Sequence, residues 1–96
     1  MELDNIELDG QNFKGLNVKT EHAFLLMIQA KQGFLGCGYF NIETANKLKE
    51  SVAIVSGVSN YKDCLDAMVI LASEEAIKKG ITLSMTGREA LKQLNL

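Results

Sequence analysis

The stretch HAFLLMIQAKQGFLGCGYF, residues 22–40, decides the fold. Its first nine residues, HAFLLMIQA, are apolar on both faces of an extended chain, which predicts a central strand covered on each side. The KQG at 31–33 then provides a tight connection into 34–40, as in a β-hairpin. We therefore expect two neighbouring antiparallel strands near the middle of a sheet.

Glycine is unusually frequent in the second half of this stretch, where a strand favours larger side chains. If 34–40 is extended, Gly36 and Gly38 share one face with two phenylalanines, and Cys37 lies on the other face. The two glycines would then leave a shallow trough, because strand glycines often mark a close approach to the backbone. A helix of the same chain, another subunit or a small ligand could fill it. On this interpretation Gly38→Val is more damaging than Cys37→Ala.

The residues before the hairpin predict two further strands. MELDNIEL at 1–8 alternates imperfectly and ends at the turn signal Asp9-Gly10, which favours an edge strand. GLNVKT at 15–20 places Leu16 and Val18 on one face and polar residues on the other. That alternation is typical of a strand with one solvated face.

After the hairpin the pattern changes to a mixture of helices and strands. NIETANKLKE at 41–50 has helical periodicity with Asn41 as a natural N-cap, and SVAIVSGV at 51–58 predicts a buried strand. Residues 61–79 fit either one long helix, or a helix at 60–66, a strand at 67–72 and a helix capped by Ser73. Periodicity alone leaves both open.

The end of the chain carries a clear start signal for a last helix. Gly80 is a plausible stop for the preceding helix, and Thr86 and Glu89 have the spacing of a capping box. Together these segments predict an α+β fold. We expect one small domain over residues 1–96, with a mostly antiparallel four- to six-stranded sheet and two to four short helices.

Composition excludes several classes of partner and site. The chain is 47% hydrophobic and has a net charge of −2, so it has a globular composition and no basic field for nucleic acid. Its longest apolar run, 23–28, is too short for a bilayer, and the acidic start is unlike a signal peptide. We expect a cytoplasmic protein with no membrane partner. Two reduced cysteines and one histidine are too few for a structural metal site, and no cofactor motif is present.

The motifs in the second half of the chain resemble the YunC-like family, domain of unknown function DUF1805. The resemblance extends from about Lys19 onward, and MTGREAL at 85–91 is its most specific part. The other matching positions are Gly33, Cys37, Gly38, Asn41, Glu43, VSGV at 55–58, Asp63 and Leu65. The resemblance implies an α+β fold and a compact stand-alone domain, favours helix, strand and helix over 61–79, and carries no activity. Gly36 departs from the family pattern, where a larger apolar residue is usual.

Candidate functional residues fall into two sets. Cys37 is a candidate nucleophile, alone or in a dyad with His22, although a small buried hydrophobe is the simpler interpretation. The candidate ligand-binding residues lie on the glycine face and at two helix starts, where free N–H groups attract anions. They are Gly36, Gly38, Asn41, Glu43, Thr86, Gly87, Arg88 and Glu89.

Two function classes follow from these residues. The first is a non-enzymatic homo-oligomeric or small-ligand-binding accessory module, whose ligand would be a small anion. The alternative is a small cysteine-dependent enzyme or thiol sensor centred on Cys37, with Arg88 or Glu43 orienting an anionic substrate. The sequence favours the first, because no base accompanies the cysteine in any motif.

Overall fold

The elements of the protein alternate between strands and short helices. A computed structural model describes residues 1–96. The strands are β1 (Glu2–Leu8), β2 (Gln11–Lys19), β3 (Phe24–Ala30), β4 (Gly33–Gly36), β5 (Val52–Ile54) and β6 (Leu71–Ala72). The helices are α1 (Ile42–Leu48), α2 (Tyr61–Asp66), α3 (Glu74–Lys78) and α4 (Gly87–Leu94). The longest helix has eight residues, and none has the length and apolar character needed to cross a membrane.

All six strands form one sheet in the order β1-β2-β3-β4-β5-β6. Every neighbouring pair is antiparallel except β4 and β5, which run parallel and are joined by α1. A parallel pair needs such a crossover, whereas antiparallel strands can be joined by tight turns. The expected α+β fold with a mostly antiparallel sheet is confirmed.

Local signals account for the boundaries of most elements. Asp9 and Gly10 have φ values of 51° and 81°, as required by the two-residue turn that joins β1 to β2. Asn41 and Ser73 cap the starts of α1 and α3 through their side-chain oxygens. Helix α2, strand β6 and helix α3 divide 61–79 as the family resemblance implies.

The main core lies between one face of the sheet and helices α2 and α4. Phe13, Leu26, Ile28 and Leu35 point into it from three strands, and Leu91 of α4 is fully buried against them. Burying each such side chain stabilises the fold by about 1.5–3 kcal/mol before conformational entropy is subtracted. Helices α2 and α4 therefore cover this face of the sheet.

The other face of the sheet is covered only in part. Ala45 of α1 packs on Val52 and Ile54, so α1 covers the β4 and β5 side. Leu25 and Met27 of β3 lie on the same face, but they are only half-buried and belong to neither core cluster. The expectation that 22–30 is covered on both sides is therefore wrong within this chain, because no element returns over β1 to β3.

The expected strand over 34–40 is also wrong, because β4 ends at Gly36. The Phe40 N–H donates to the Cys37 carbonyl at 3.2 Å, which closes a turn through Gly38. The Phe40 ring folds back over Gly36, where a Cβ atom would lie 2.6 Å from Phe40 Cδ2. Gly38 lies outside the sheet, and only Ser56 Cβ comes within 4 Å of its Cβ position. The predicted trough is therefore absent, because the Phe40 ring fills the space above Gly36 and the turn takes Gly38 out of the strand.

Candidate functional site

A pocket of about 590 Å³ opens at one edge of the sheet. It is lined by three segments, 22–24, 37–39 and 56–59. Because β4 and β5 are parallel, the loops that follow them leave the sheet at the same edge, and loops at such carboxyl ends commonly form binding sites. The antiparallel β3 starts at that edge and supplies the third side.

Cys37 lines this pocket, but its sulfur is held by the backbone of β3. The residue is 3% exposed. The Leu26 N–H donates to Cys37 Sγ at 3.3 Å, and the thiol lies 3.9 Å from the Phe24 carbonyl oxygen as a weak donor. The thiol therefore has both a donor and an acceptor within the chain.

His22 lines the same pocket without contacting Cys37. Its side chain is 87% exposed, and Nε2 lies 3.5 Å from Glu21 Oε1. No hydrogen bond joins the imidazole to Cys37 Sγ, whose partners are backbone groups of β3. A Cys37–His22 dyad requires a hydrogen bond between the nucleophile and its base, and this contact is absent.

The pocket is rich in backbone donors that the chain itself does not use. Several residues that line it have N–H groups with no hydrogen-bond acceptor in the protein. They are Gly38, Tyr39, Ser56, Gly57 and Val58. The next N–H along the second loop, that of Ser59, donates to Asp63 Oδ2 at 3.0 Å. Clustered free N–H groups in loops form concavities suited to anions.

The second cysteine, Cys64 of α2, is buried and unavailable. It is 2% exposed, and it is not bonded to Cys37. Burial raises the pKa of the Cys64 thiol to about 12, with smaller contributions from Cys37 and Asp63. Cys64 is therefore a neutral core side chain at physiological pH.

The candidate residues at the start of α4 serve the fold. Thr86 and Glu89 form the capping box, with the Glu89 N–H donating to Thr86 Oγ1 at 3.2 Å and the Thr86 N–H donating to Glu89 Oε1 at 3.0 Å. The hydrogen bonds that the Thr86 N–H and hydroxyl donate to the Glu89 carboxylate lower the pKa of Glu89. Gly87 is buried against α2, and Arg88 Nη2 lies 3.5 Å from Asp66 Oδ1. None of the four lines the Cys37 pocket.

Asn41 and Glu43 likewise lie away from the pocket, at the start of α1. Asn41 Oδ1 accepts from the N–H groups of Glu43 and Thr44 at 2.8 and 3.1 Å. The helix start is therefore already capped, and the Glu43 carboxylate is exposed on a helix that packs on the opposite sheet face. Of the sequence-based candidates, the structure brings Cys37, Gly38 and His22 into the pocket.

Sequence reasoning missed the role of the 56–59 loop. The sequence places 56–58 in a buried strand, but β5 ends at Ile54 and Gly57 has a positive φ of 71°, as turns often use. Its proximity to Cys37 follows from the parallel pairing of β4 with β5, which no local pattern reveals. Elsewhere, no three His, Cys, Asp or Glu side chains are grouped so that they could hold a metal ion.

The fold and the pocket define a small α+β protein with a loop-lined pocket at the end of its one parallel strand pair. The chain belongs to the family described as domain of unknown function (DUF1805), whose family model matches residues 36–94. It is 30% identical over 96 residues to the uncharacterized protein YunC of Bacillus subtilis (strain 168), covering 96% of this chain and 95% of that protein. The resemblance stated from the motifs is confirmed.

A solved structure supports the same fold. The crystal structure of TA1206, a protein of unknown function from Thermoplasma acidophilum, superposes with a TM-score of 0.91 at 35% identity. The match covers 97% of this chain and 91% of that one. The architecture of this chain is therefore shared with that protein.

Proposed function

We propose that this chain is a single-domain, non-enzymatic accessory module of the cytoplasm that works as a homo-oligomer and binds a small anion in the Cys37 pocket. The observation that supports a bound anion is the set of unpaired N–H groups on the loops 38–39 and 56–58. A pocket of about 590 Å³ is of the size that small molecules occupy. Inorganic phosphate and small carboxylates have the charge and the acceptor oxygens that this lining suits.

The electrostatics of the pocket favour an anion of low charge. Its donors are neutral amides rather than lysine or arginine side chains, so attraction comes from backbone dipoles. The Asp63 carboxylate already accepts the Ser59 N–H. We therefore expect modest affinity that depends on hydrogen bonds from the backbone N–H groups of the two loops.

Binding is favoured over catalysis because the pocket lacks an acid–base pair. Cys37 Sγ is engaged by the backbone of β3, and His22 contacts Glu21 instead. Nucleophilic catalysis needs a base within hydrogen-bond reach of the nucleophile. A site without one can hold and orient a ligand.

Titration with inorganic phosphate, followed by the backbone amide signals in NMR, tests this function. We expect the amides of Gly38, Tyr39, Ser56, Gly57 and Val58 to shift together and saturate with one dissociation constant. Sodium chloride at matched ionic strength should not reproduce the shifts. Shifts confined to the capped start of α4, or none at all, would contradict the proposal.

Gly38 offers a matched pair of variants for the same titration. Its Cβ position is open and the residue lines the pocket, so we expect Gly38→Glu and Gly38→Gln both to fold with their side chains at the pocket. Gly38→Glu adds a negative charge and should abolish the phosphate shifts, whereas the isosteric Gly38→Gln should only weaken them. Equal losses would show that the pocket recognises volume and not charge.

A thiol sensor remains the second candidate, on the strength of one hydrogen bond. The Leu26 N–H that donates to Cys37 Sγ also stabilises negative charge on that sulfur if a reagent reaches it. Alkylation with iodoacetamide at several pH values separates the two functions, with buried Cys64 as internal reference. Labelling of Cys37 that is fast at pH 7 would favour the sensor, and labelling as slow as that of Cys64 would exclude it.

A further inference from the structure

The face of the sheet opposite α2 and α4 carries a continuous apolar row. Leu3 of β1 lies opposite Leu16 of β2, Leu16 lies opposite Met27 of β3, and Met27 lies opposite Gly36 of β4. Directly opposite residues on one face of a sheet pack against each other. Val18 and Leu25 form a second apolar pair beside this row.

Nothing in the chain covers this row. Helix α1 packs over β4 and β5, and the Phe40 ring ends the row above Gly36. Leu3, at the far end, is 76% exposed, and the side chains of Leu16, Val18, Leu25 and Met27 are only half-buried. We call the uncovered side of β1, β2 and β3 the open face.

We propose that the open face is the contact surface of a homodimer, in which the open face of a second copy packs against it. This inference rests on the homo-oligomer of the proposed function and names its interface. The two sheets would then form a sandwich. The second copy would cover the second face of β3, as its apolar sequence predicts. Sheets packed face to face lie about 10 Å apart, with side chains of this size between them.

The area of the open face suits a dimer of moderate stability. Strands β1, β2 and β3 have seven, nine and seven residues, and neighbouring strands lie about 4.8 Å apart with a rise of about 3.3 Å per residue. The three strands therefore project roughly 350 Å², and the relief of the side chains raises the accessible area of the open face toward the low end of interface sizes, about 600 Å² per partner. A single short peptide would leave most of it exposed.

The charges on the open face are self-complementary. It carries one acid, Glu7, and one base, Lys14, and neither forms an ion pair within the chain. In a twofold interface both copies use the same surface, so Glu7 of each copy can form an ion pair with Lys14 of the other. A neutral face of this kind has no attraction for a strongly charged partner, which favours a second copy.

Another apolar surface provides the matched control. Leu71 of the edge strand β6, Ile77 and Leu83 are 45%, 58% and 57% exposed around a groove of about 360 Å³. No charged residue lines this groove, and the groove is much smaller than the open face. Substitutions there have the same chemistry as those on the open face but should leave the dimer intact.

Light scattering and sedimentation equilibrium over a concentration series test the interface with three leucine or methionine variants. Wild type should be a dimer, and Leu3→Glu and Met27→Glu should each raise the dimer dissociation constant at least about 100-fold, since each charge is buried twice in a twofold interface. Leu71→Glu should match wild type. Leu3 is so exposed that Leu3→Glu tests association without disturbing the fold.

The results of these measurements test the open-face interface separately from the proposed function. A monomeric wild type at about 100 µM, roughly where weak dimers would form, removes both the homo-oligomer and this interface. An oligomer that survives Leu3→Glu and Met27→Glu, or that is lost with Leu71→Glu, keeps the homo-oligomer and overturns the open face as its interface. Phosphate binding in the Cys37 pocket is measured independently of either result.

Discussion

Gly87 packs its Cα directly against the backbone carbonyl oxygen of Cys64, and a side chain at position 87 has no room between them. The Gly87 N–H also donates to the Ala67 carbonyl at 2.8 Å. These contacts join the start of α4 to the end of α2 and hold both helices over the sheet. The glycine of the MTGREAL motif is therefore explained by helix packing, not by a ligand.

Gly87→Ala should destabilise the protein by about 3 kcal/mol, at the upper end of overpacking costs because a backbone atom must move. The measurement is the free energy of unfolding in a denaturant titration. Gly38→Ala is the control, since the Cβ position at 38 is open. A Gly87→Ala variant as stable as the control would show that the two helices do not approach as closely as described.

Gly38→Val should cost less than about 1 kcal/mol, and Cys37→Ala should cost more, about 1–2 kcal/mol for a buried sulfur replaced by a smaller group. This reverses the order expected from an extended 34–40 segment. Gly38 faces open space in a turn, whereas Cys37 fills a core position and accepts the Leu26 N–H. Thermal unfolding of both variants gives the order, and a lower melting temperature for Gly38→Val would restore the strand interpretation.

The raised pKa of Cys64 makes stability depend on alkaline pH. An unfolded thiol ionises near pH 8.5, whereas the folded Cys64 thiol has a pKa of about 12. Above about pH 8.5 the unfolded state binds fewer protons, so the free energy of unfolding falls by up to about 1.4 kcal/mol per pH unit. The stabilising effect is complete below that pH and is lost as the pH rises.

Denaturant titrations of wild type and Cys64→Ala between pH 7.5 and 10 measure this slope. We expect the variant to start less stable but to lose up to about 2 kcal/mol less over that range. Parallel curves for the two proteins would mean that the Cys64 thiol does not stay protonated in the fold.

Local chemistry explains which features the sequence predicts well. The Asp9-Gly10 turn, the Asn41 and Ser73 caps and the Thr86–Glu89 box each depend on residues close together in the chain. Nonlocal packing explains the failures. Nothing near Gly36 indicates that Phe40 turns back over it, and the apolar character of Leu25 and Met27 does not reveal whether their cover comes from the same chain. The pocket was missed for the same reason, since Cys37 meets the 56–59 loop only through the parallel pairing of β4 with β5.

The most direct measurement is native mass spectrometry of the protein recovered from the cells that make it, followed by denaturation of the same sample. We expect a dimer whose native mass exceeds twice the denatured chain mass by a small anionic molecule per protomer, and a recombinant Gly38→Glu protein that carries no such excess. A native mass equal to that of one bare chain in every charge state would contradict this expectation.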